Sequence, residues 1–402
     1  MSTARAELRP AAEPPHDLAF VLTGGGARGA YQAGVMRWIA RHFPELRVPI
    51  YAGVSAGAVN AVHVASHHGT FKQAVEELTG LWRQLTLDRV VDVGAPSLAW
   101  NVMRWGAGLV SGGLVPKASG RAFLDTGPLR EYLEEAFACV QGEVTGIEYN
   151  LRRGALRAIS LVTTSYTTGQ SVIWVQGKGV EPKSRWGKKS RVIQARLGVE
   201  HVMASCAIPL FFPAIRIGNG WYGDGGIRLT APLAPALHLG ARRIIAISTR
   251  YDAPGASQKK TVVGYPPPAV VFGAMLNAIF LDLVDQDLAR LERFNQLLEK
   301  IPLQDRDGMR PIEFVSLRPS RDLGRLARKY EPLLPRAFRF LSRGLGTRRS
   351  ASPDLLSLLL FVPEYIDRLM DVGDADAERH AEALTRLLAP HRLGSAGVEA
   401  AG

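Results

Sequence analysis

The chain has 402 residues, enough for one large α/β domain or two smaller ones, and its 47% apolar and 21% charged content is ordinary for a globular protein. The formal net charge of +12 is not ordinary, and such a surface should attract anionic partners, either nucleic acid or the headgroups of acidic lipids. Only two cysteines are present, Cys139 and Cys206, which argues against a disulfide-built secreted domain and offers no metal pattern; each reads as a small buried apolar residue.

Met1 to Asp17 is rich in Ala, Pro and charge and lacks the apolar centre of a signal peptide, so it reads as a disordered leader. Leu18 to Thr23 is almost wholly apolar and suits a buried parallel strand. It runs into Gly24-Gly-Gly-Ala-Arg-Gly29 and then a helical pattern to Arg41, with Tyr31, Val35, Trp38 and Ile39 on one face. Strand, glycine turn and helix with Gly-x-Gly-x-x-Gly spacing is also the layout of a dinucleotide fingerprint. A Rossmann unit, however, should carry an acid at the end of its second strand, about 20 residues on. Here the second strand, Val48 to Tyr51, leads instead into Gly53-Val-Ser-Ala-Gly57 and an Ala- and Val-rich helix. In a Gly-x-Ser-x-Gly elbow the serine sits on a sharp strand-to-helix turn with its Oγ exposed. The glycines at 24, 25 and 26 therefore have a better use, which is to offer consecutive N–H groups to a developing oxyanion.

The helix after Ser55 extends to about His68. His63 and His67 share a face four residues apart, but no third ligand or acid motif accompanies them, so they read as helix-end residues where cationic character is favoured rather than as a metal pair. Phe71 to Leu85 is an amphipathic helix. Val91 to Gly120 interleaves Trp100, Met103 and Trp105 with many glycines and prolines, and reads either as a flap over an apolar site or as a loop tucked over the core. Asp125 begins a capped helix to about Ala138, while Tyr149 to Val162 and Gln170 to Gln176 read as strands. Lys183, Arg185, Lys188, Lys189 and Arg191 around Trp186 form a positive loop, either a solvated turn or a membrane-surface contact.

His201 to Pro213 reads as a helix passing into an apolar segment, followed by strands at Ala214–Ile217 and Trp221–Tyr222. Then comes Gly223-Asp-Gly-Gly226, in which three glycines make sense if Asp224 must be presented close to another backbone. A helix at Pro232 to Leu239 and a buried strand at Arg243 to Ser248 come next, then a loop from Tyr251 to Pro268. Gly273 to Lys300 is a long amphipathic helix, Phe314 to Leu317 a final strand, and helices are expected at 323–330, 336–343, 354–370 and 375–388. This last region, basic around Arg325 to Arg343, suits either a supporting subdomain or an interfacial contact. No run approaches the roughly 18 uninterrupted apolar residues of a membrane span. The best candidate, Ala269 to Val284, is broken by Asn277 and Asp282, so a cytoplasmic protein that touches a membrane is expected.

An α/β-hydrolase triad would need Ser, then Asp or Glu, then His in chain order. After Asp224 only His238, His380 and His391 remain; His238 lies in an apolar helix and the others in a polar C-terminal stretch, so a serine with an aspartate as direct base is the simpler account.

That set of motifs, in this order, resembles the patatin-like phospholipase family. Gly24–Gly29 is similar to its oxyanion motif, Gly53–Gly57 to its nucleophile elbow, Asp224-Gly225-Gly226 to its Asp-Gly-Gly motif, and Ala204–Pro213 to the segment before the aspartate. The resemblance covers Leu18 to Ser248, with weaker echoes at Phe280 and Ser357–Phe361. It implies a three-layer α/β fold with a mainly parallel sheet between helices, a catalytic domain over 18–300 and a mainly helical extension over 301–402. It further implies a Ser55–Asp224 dyad that hydrolyses lipid acyl esters through an acyl-enzyme, with no metal or cofactor. Asp224 would then need a pKa nearer neutrality than the usual value of about 3.9. Amides of Gly24, Gly25, Gly26 and Ala56 would stabilise the oxyanion, the motif glycines Gly29, Gly53, Gly57, Gly225 and Gly226 would set the backbone, and Arg28 would order the loop rather than meet a lipid phosphate. The expected partners are a phospholipid or other acyl ester and an anionic membrane surface; charge alone supports nucleic acid, and no binding motif accompanies it. A neutral-lipid lipase, a thioesterase, an acyltransferase and a non-catalytic membrane-associated regulator stay open as alternatives.

Overall fold

The computed structural model describes residues 17–92, 122, 124–178, 190–229, 231–251, 271, 283–336, 338–340 and 354–389. The leader up to residue 16, residues 93–120 of the expected flap, the loop around Trp186 from 179 to 189 and most of Ala269–Val284 lie outside the described residues.

The nine strands found among the described residues form one sheet. β1 (Leu18–Leu22), β2 (Ile50–Val54) and β8 (Arg243–Ile247) are buried along their whole length and, Arg243 apart, apolar, as parallel strands covered on both faces must be. With β3 (Ala158–Ser165), β4 (Ser171–Gly177), β5 (Ser190–Gln194) and β9 (Glu313–Leu317) they run in the order β5-β4-β3-β2-β1-β8-β9. Only the β3–β4 pair along this path is antiparallel. A hairpin of β6 (Ile215–Ile217) and β7 (Gly220–Asp224) joins the sheet where β7 pairs antiparallel with the end of β3.

Alternate side chains of each strand feed two cores. Leu18, Phe20, Leu22, Tyr51, Ile159 and Ile245 enter one; Ala19, Val21, Ile50, Ala52, Ala158 and Ile244 enter the other. The first is covered by α1 (Gly29–His42), α2 (Ala56–Ser66) and α3 (Phe71–Gln84). Against the same core pack α4 (Gly127–Ala136), α5 (Thr145–Arg152) and α6 (Val199–Cys206). The second is covered by the short α7 (Ala234–His238) and by α8 (Leu283–Glu299). The result is a three-layer fold of helix, mostly parallel sheet and helix.

Thr145 to Arg152 is helical, so the strand expected from Tyr149 begins only at Ala158. Ile147 and Leu151, four apart, are both buried on one helix face, and Asn150 Nδ2 donates to the carbonyls of Ala65 (2.7 Å) and His67 (2.9 Å) at the end of α2. The C-terminal helices also divide differently from the expected 354–370 and 375–388. They are α9 (Leu323–Ala327), α10 (Asp354–Leu359), α11 (Pro363–Arg379) and α12 (Ala381–Leu388). Pro363 accounts for the break: it holds Val362 extended and starts a new helix where its missing N–H costs nothing.

This C-terminal region is built into the fold. β9 extends the sheet beside β8, and α11 lies along α1 so closely that an added Cβ on Gly34 would fall 2.0 Å from the Met370 carbonyl. Arg37 and Arg41 of α1 reach Asp374 of α11 at 3.1 and 2.6 Å. Among the described residues no helix is long and apolar enough to cross a membrane.

Candidate active site

Five consecutive buried residues carry β2 to Ser55, where the chain turns through φ 55°, ψ −128° before α2 begins at Ala56. A non-glycine residue with positive φ is uncommon and signals a constraint imposed from outside. One constraint is Gly57, where a Cβ would lie 2.1 Å from the Leu22 carbonyl, so α2 is jammed against the end of β1. Another is Ser205 on α6, fully buried, whose Oγ accepts from the Ser55 amide (2.9 Å) and donates to the Val162 carbonyl (2.7 Å). Being at the start of a helix, the Ala56 amide has no partner within α2.

Sheet register brings Asp224 to this turn. Along β3, Val162 pairs with Val54 of β2, and the next residue, Thr163, pairs with Asp224 of β7. β7 thus takes up the partner position where β2 leaves the sheet at Ser55. The Asp224 backbone is fixed on both sides: its amide donates to the Ala207 carbonyl (3.0 Å) and its carbonyl accepts from Thr164 Oγ1 (2.8 Å). Oδ1 accepts from the Gly226 amide (2.9 Å), whereas Oδ2 has no hydrogen-bond partner of normal geometry among the described residues. The residue is 0% exposed. Burial raises its pKa to about 7, against the smaller lowering pulls of the Gly226 amide and the nearby Ser55 hydroxyl. Gly225 permits the approach, since a Cβ there would meet the Val162 carbonyl at 2.2 Å.

The glycine loop closes the third side. An added Cβ on Gly29 would come 2.8 Å from Ala56 Cβ, so loop and elbow touch. Gly25 and Gly26 have φ of 156° and 53°, and the Gly24 carbonyl accepts from Thr249 Oγ1 at 2.5 Å. Fixing that carbonyl fixes the peptide plane and turns the Gly25 N–H the opposite way. The amides of Gly24, Gly25 and Gly26 have no acceptor among the described residues.

Arg28 does not face a substrate phosphate. It is 3% exposed, and its guanidinium is held inside the protein by Ser357 and Asp354 of α10. The cationic reading of His63 also fails: the ring is buried, Nε2 donates to the Ala74 carbonyl (3.1 Å), and burial lowers its pKa to about 4, so it is neutral. Among the described residues no three acidic, histidine or cysteine side chains gather as a metal site. No hydrogen bond joins a described histidine to Ser55 or Asp224, and His380 is bonded locally to the Asp376 carbonyl.

Two neighbours of the pair escaped the sequence reading. Ser205 falls in the Ala204–Pro213 segment, where a hydroxyl in an apolar helix is the signal to follow. Tyr166, at the end of β3, is half-exposed; its Oη would lie 2.1 Å from a Cβ added to Gly223, and burial together with Asp224 raises its pKa. Cys206 beside them is buried, and burial with the Asp224 charge raises its thiol well above the usual range, which makes it unreactive.

A sheet between two helical layers, a serine elbow on its second strand and a carboxyl group delivered by a late hairpin define a patatin-type α/β protein. The family model for patatin-like phospholipases matches residues 20–237, more than half of the chain. The chain belongs to the patatin-like phospholipase family. No curated protein sequence matches it. Among solved structures it is similar to VipD from Legionella pneumophila, with 14% identity over 92% of this chain and 75% of that one and a TM-score of 0.33. It is also similar to human GIVD cytosolic phospholipase A2 in complex with methyl γ-linolenyl fluorophosphonate (13% identity, 92% of this chain, 59% of that one, TM-score 0.43). A third is the type III effector ExoU of Pseudomonas aeruginosa (16%, 93%, 54%, TM-score 0.35). The chain spans less than two thirds of the length of the last two. Membership of this family supports a lipid hydrolase activity.

Proposed function

We propose that the protein is a serine lipid acyl hydrolase of phospholipase A type in which Ser55 is the nucleophile and Asp224 the base. The observation that carries this reading is the change of partner along β3, from β2 at Val162 to β7 at Thr163, which sets a buried, unsaturated carboxylate beside a serine on a strained turn.

The Asp224 carboxylate takes the Ser55 hydroxyl proton as Oγ bonds to the ester carbonyl carbon. The carbonyl electron pair moves onto oxygen, where amides of the Gly24–Gly26 loop and of Ala56 receive the negative charge. Collapse of the tetrahedral species expels the alcohol, which takes the proton from Asp224 and leaves an acyl group on Ser55. Water then repeats the sequence: Asp224 removes its proton, the acyl–oxygen bond to Ser55 breaks, and Ser55 recovers the proton as the fatty acid leaves. A base with a pKa of about 7 suits both directions of transfer near neutrality. The net charge of +12 favours peripheral contact with an anionic membrane surface.

The test is lipid profiling of products released from mixed phospholipids and acylglycerols by wild type and by Ser55→Ala. Fatty acid and lysophospholipid that vanish in the variant are expected. Release of fatty acid from acylglycerols alone would make it a neutral-lipid lipase, and unchanged release by folded Ser55→Ala would overturn the nucleophile assignment.

A further inference from the structure

Arg28 sits at the end of the glycine turn and the start of α1, yet its side chain is bound by residues more than three hundred positions away. Its Nε donates to Ser357 Oγ at 2.7 Å and its Nη2 to Asp354 Oδ1 at 2.6 Å. Ser357 is itself fully buried, and its hydroxyl proton is committed to the Asp354 carbonyl at 2.6 Å, which leaves an oxygen lone pair for Arg28. One residue further on, α10 presses on the loop backbone: a Cβ added to Gly26 would lie 2.2 Å from the Leu358 carbonyl oxygen. The loop is therefore gripped at both ends, by Thr249 on the Gly24 carbonyl and by α10 on Gly26 and Arg28. The grip is itself anchored. Behind α10, α11 locks onto α1 through mutual glycine contacts, Gly34 against the Met370 carbonyl and Gly373 against the Tyr31 carbonyl.

We infer that Asp354 and Ser357, both on α10, are positioning residues for the glycine loop. This rests on the proposed role of that loop as the oxyanion site. A buried guanidinium deprived of one partner is costly and must move toward another partner or toward water. Arg28 moves with the loop backbone, and the amides of Gly24 to Gly26 are carried with it. Donors must stand about 2.7 to 3.1 Å from the oxyanion, so a displacement near 1 Å forfeits most of their effect.

Full-length Ser357→Ala and Asp354→Asn are compared with wild type on a water-soluble p-nitrophenyl ester, with Ser55→Ala as the inactive reference. A loss of about ten- to a hundredfold in kcat is expected with KM changed less than about twofold, because the amides act on the transition state. Ser357→Thr, which keeps the hydroxyl, should regain most of the rate. Asp374→Asn breaks the surface ion pairs of α11 with Arg37 and Arg41 of α1, none of which involves α10 or the loop, and should leave kcat unchanged. Amide hydrogen exchange over residues 23–30 should quicken in Ser357→Ala and Asp354→Asn, a readout that needs no activity at all. The inference is overturned if both variants keep wild-type kcat and wild-type exchange while Ser55→Ala is inactive, or if Asp374→Asn loses as much kcat as they do. Full activity of Ser55→Ala would instead overturn the functional reading and leave the exchange result to decide the contact.

Discussion

Two buried polar clusters flank the helix that follows the elbow, and they are built to opposite rules. In the first, Asn60 Nδ2 donates to the Gly29 carbonyl (3.0 Å) and to Gln32 Oε1 (2.9 Å), while Asn60 Oδ1 accepts from Trp82 Nε1 (2.7 Å). Gln32 Nε2 completes the set with the carbonyls of Thr23 (2.8 Å) and Ile247 (3.1 Å). Every group there is paired and neutral. In the second, Asp224 is as deeply buried, but one carboxyl oxygen has no partner of normal geometry among the described residues, and burial raises the pKa to about 7. Saturated networks fix a backbone; a deliberately unsaturated acid keeps a reactive lone pair at the expense of stability. Each cluster can be altered separately, and the comparison holds only if the consequences divide the same way.

The largest effect should follow Asp224→Asn. Hydrolysis should drop by about 10⁴-fold or more, in line with removal of a general base that acts as a unit with its nucleophile. Stability should move the other way. Because the folded pKa lies above the unfolded one, Asp224 contributes stability that is complete below about pH 4 and is lost as pH rises through about 7. The neutral amide is spared that loss, so the variant should melt a few degrees above wild type at pH 8, and the advantage should shrink toward pH 5. Scanning calorimetry at the two pH values decides it; a variant less stable at both would place Asp224 among the saturated scaffold groups.

The pH profile sharpens the same contrast. Below about pH 7 the free base is scarce, so kcat/KM should fall about tenfold per unit on the acid side and level off above. The neighbouring titratable groups do not confuse this limb, since Cys206 and Tyr166 are both raised from already alkaline values and stay neutral throughout. A profile flat between pH 5 and 8 would mean that Asp224 does not titrate in that range.

Much of this site was legible in the sequence because its parts are local. Gly53–Gly57 and Gly24–Gly29 each join a strand to a helix, and short-range sterics at glycine and serine determine both turns. The parallel strands were legible for a similar reason: uninterrupted apolar runs such as Leu18–Leu22 have few other uses. What the sequence could not disclose was register across distance. Nothing near Asp224 says that Thr163 will be its partner, or that Ser205 will hold the Ser55 amide. Arg28 is the sharpest case: its motif explains its presence, but its partners lie in α10 and are set by how α11 packs on α1. Tyr149 misled the reading through its β propensity, which lost to the burial of Ile147 and Leu151 on one helix face.

Ser205→Ala should have the next effect, a fall of about tenfold in kcat with little change in KM. Ser205 Oγ ties the Ser55 amide to the Val162 carbonyl, and two residues later the Ala207 carbonyl holds the Asp224 amide. One short segment thus sets the spacing of nucleophile and base, and releasing one tie lets the strained turn at Ser55 relax. Ser205→Thr, which retains the oxygen, should recover most of the rate; loss of KM rather than kcat would show that the tie serves substrate binding instead.

The smallest effect on chemistry should come from the saturated cluster, where the effect on stability is considerable. Asn60→Leu keeps the volume but strands Trp82 Nε1 and Gln32 Oε1 without partners inside the protein. Unsatisfied buried groups cost about 1–3 kcal/mol each, so denaturant unfolding should show a loss of about 2 kcal/mol or more. Activity per folded molecule, counted by titrating Ser55 with a fluorophosphonate, should stay within about twofold of wild type. The Gly29 carbonyl that loses its Asn60 partner lies beyond the three amides proposed to meet the oxyanion, and those amides are gripped independently through Thr249 and α10. A large loss of kcat in the folded fraction would merge the two clusters into one catalytic network, with Asn60 relaying the packing of Trp82 to the glycine loop.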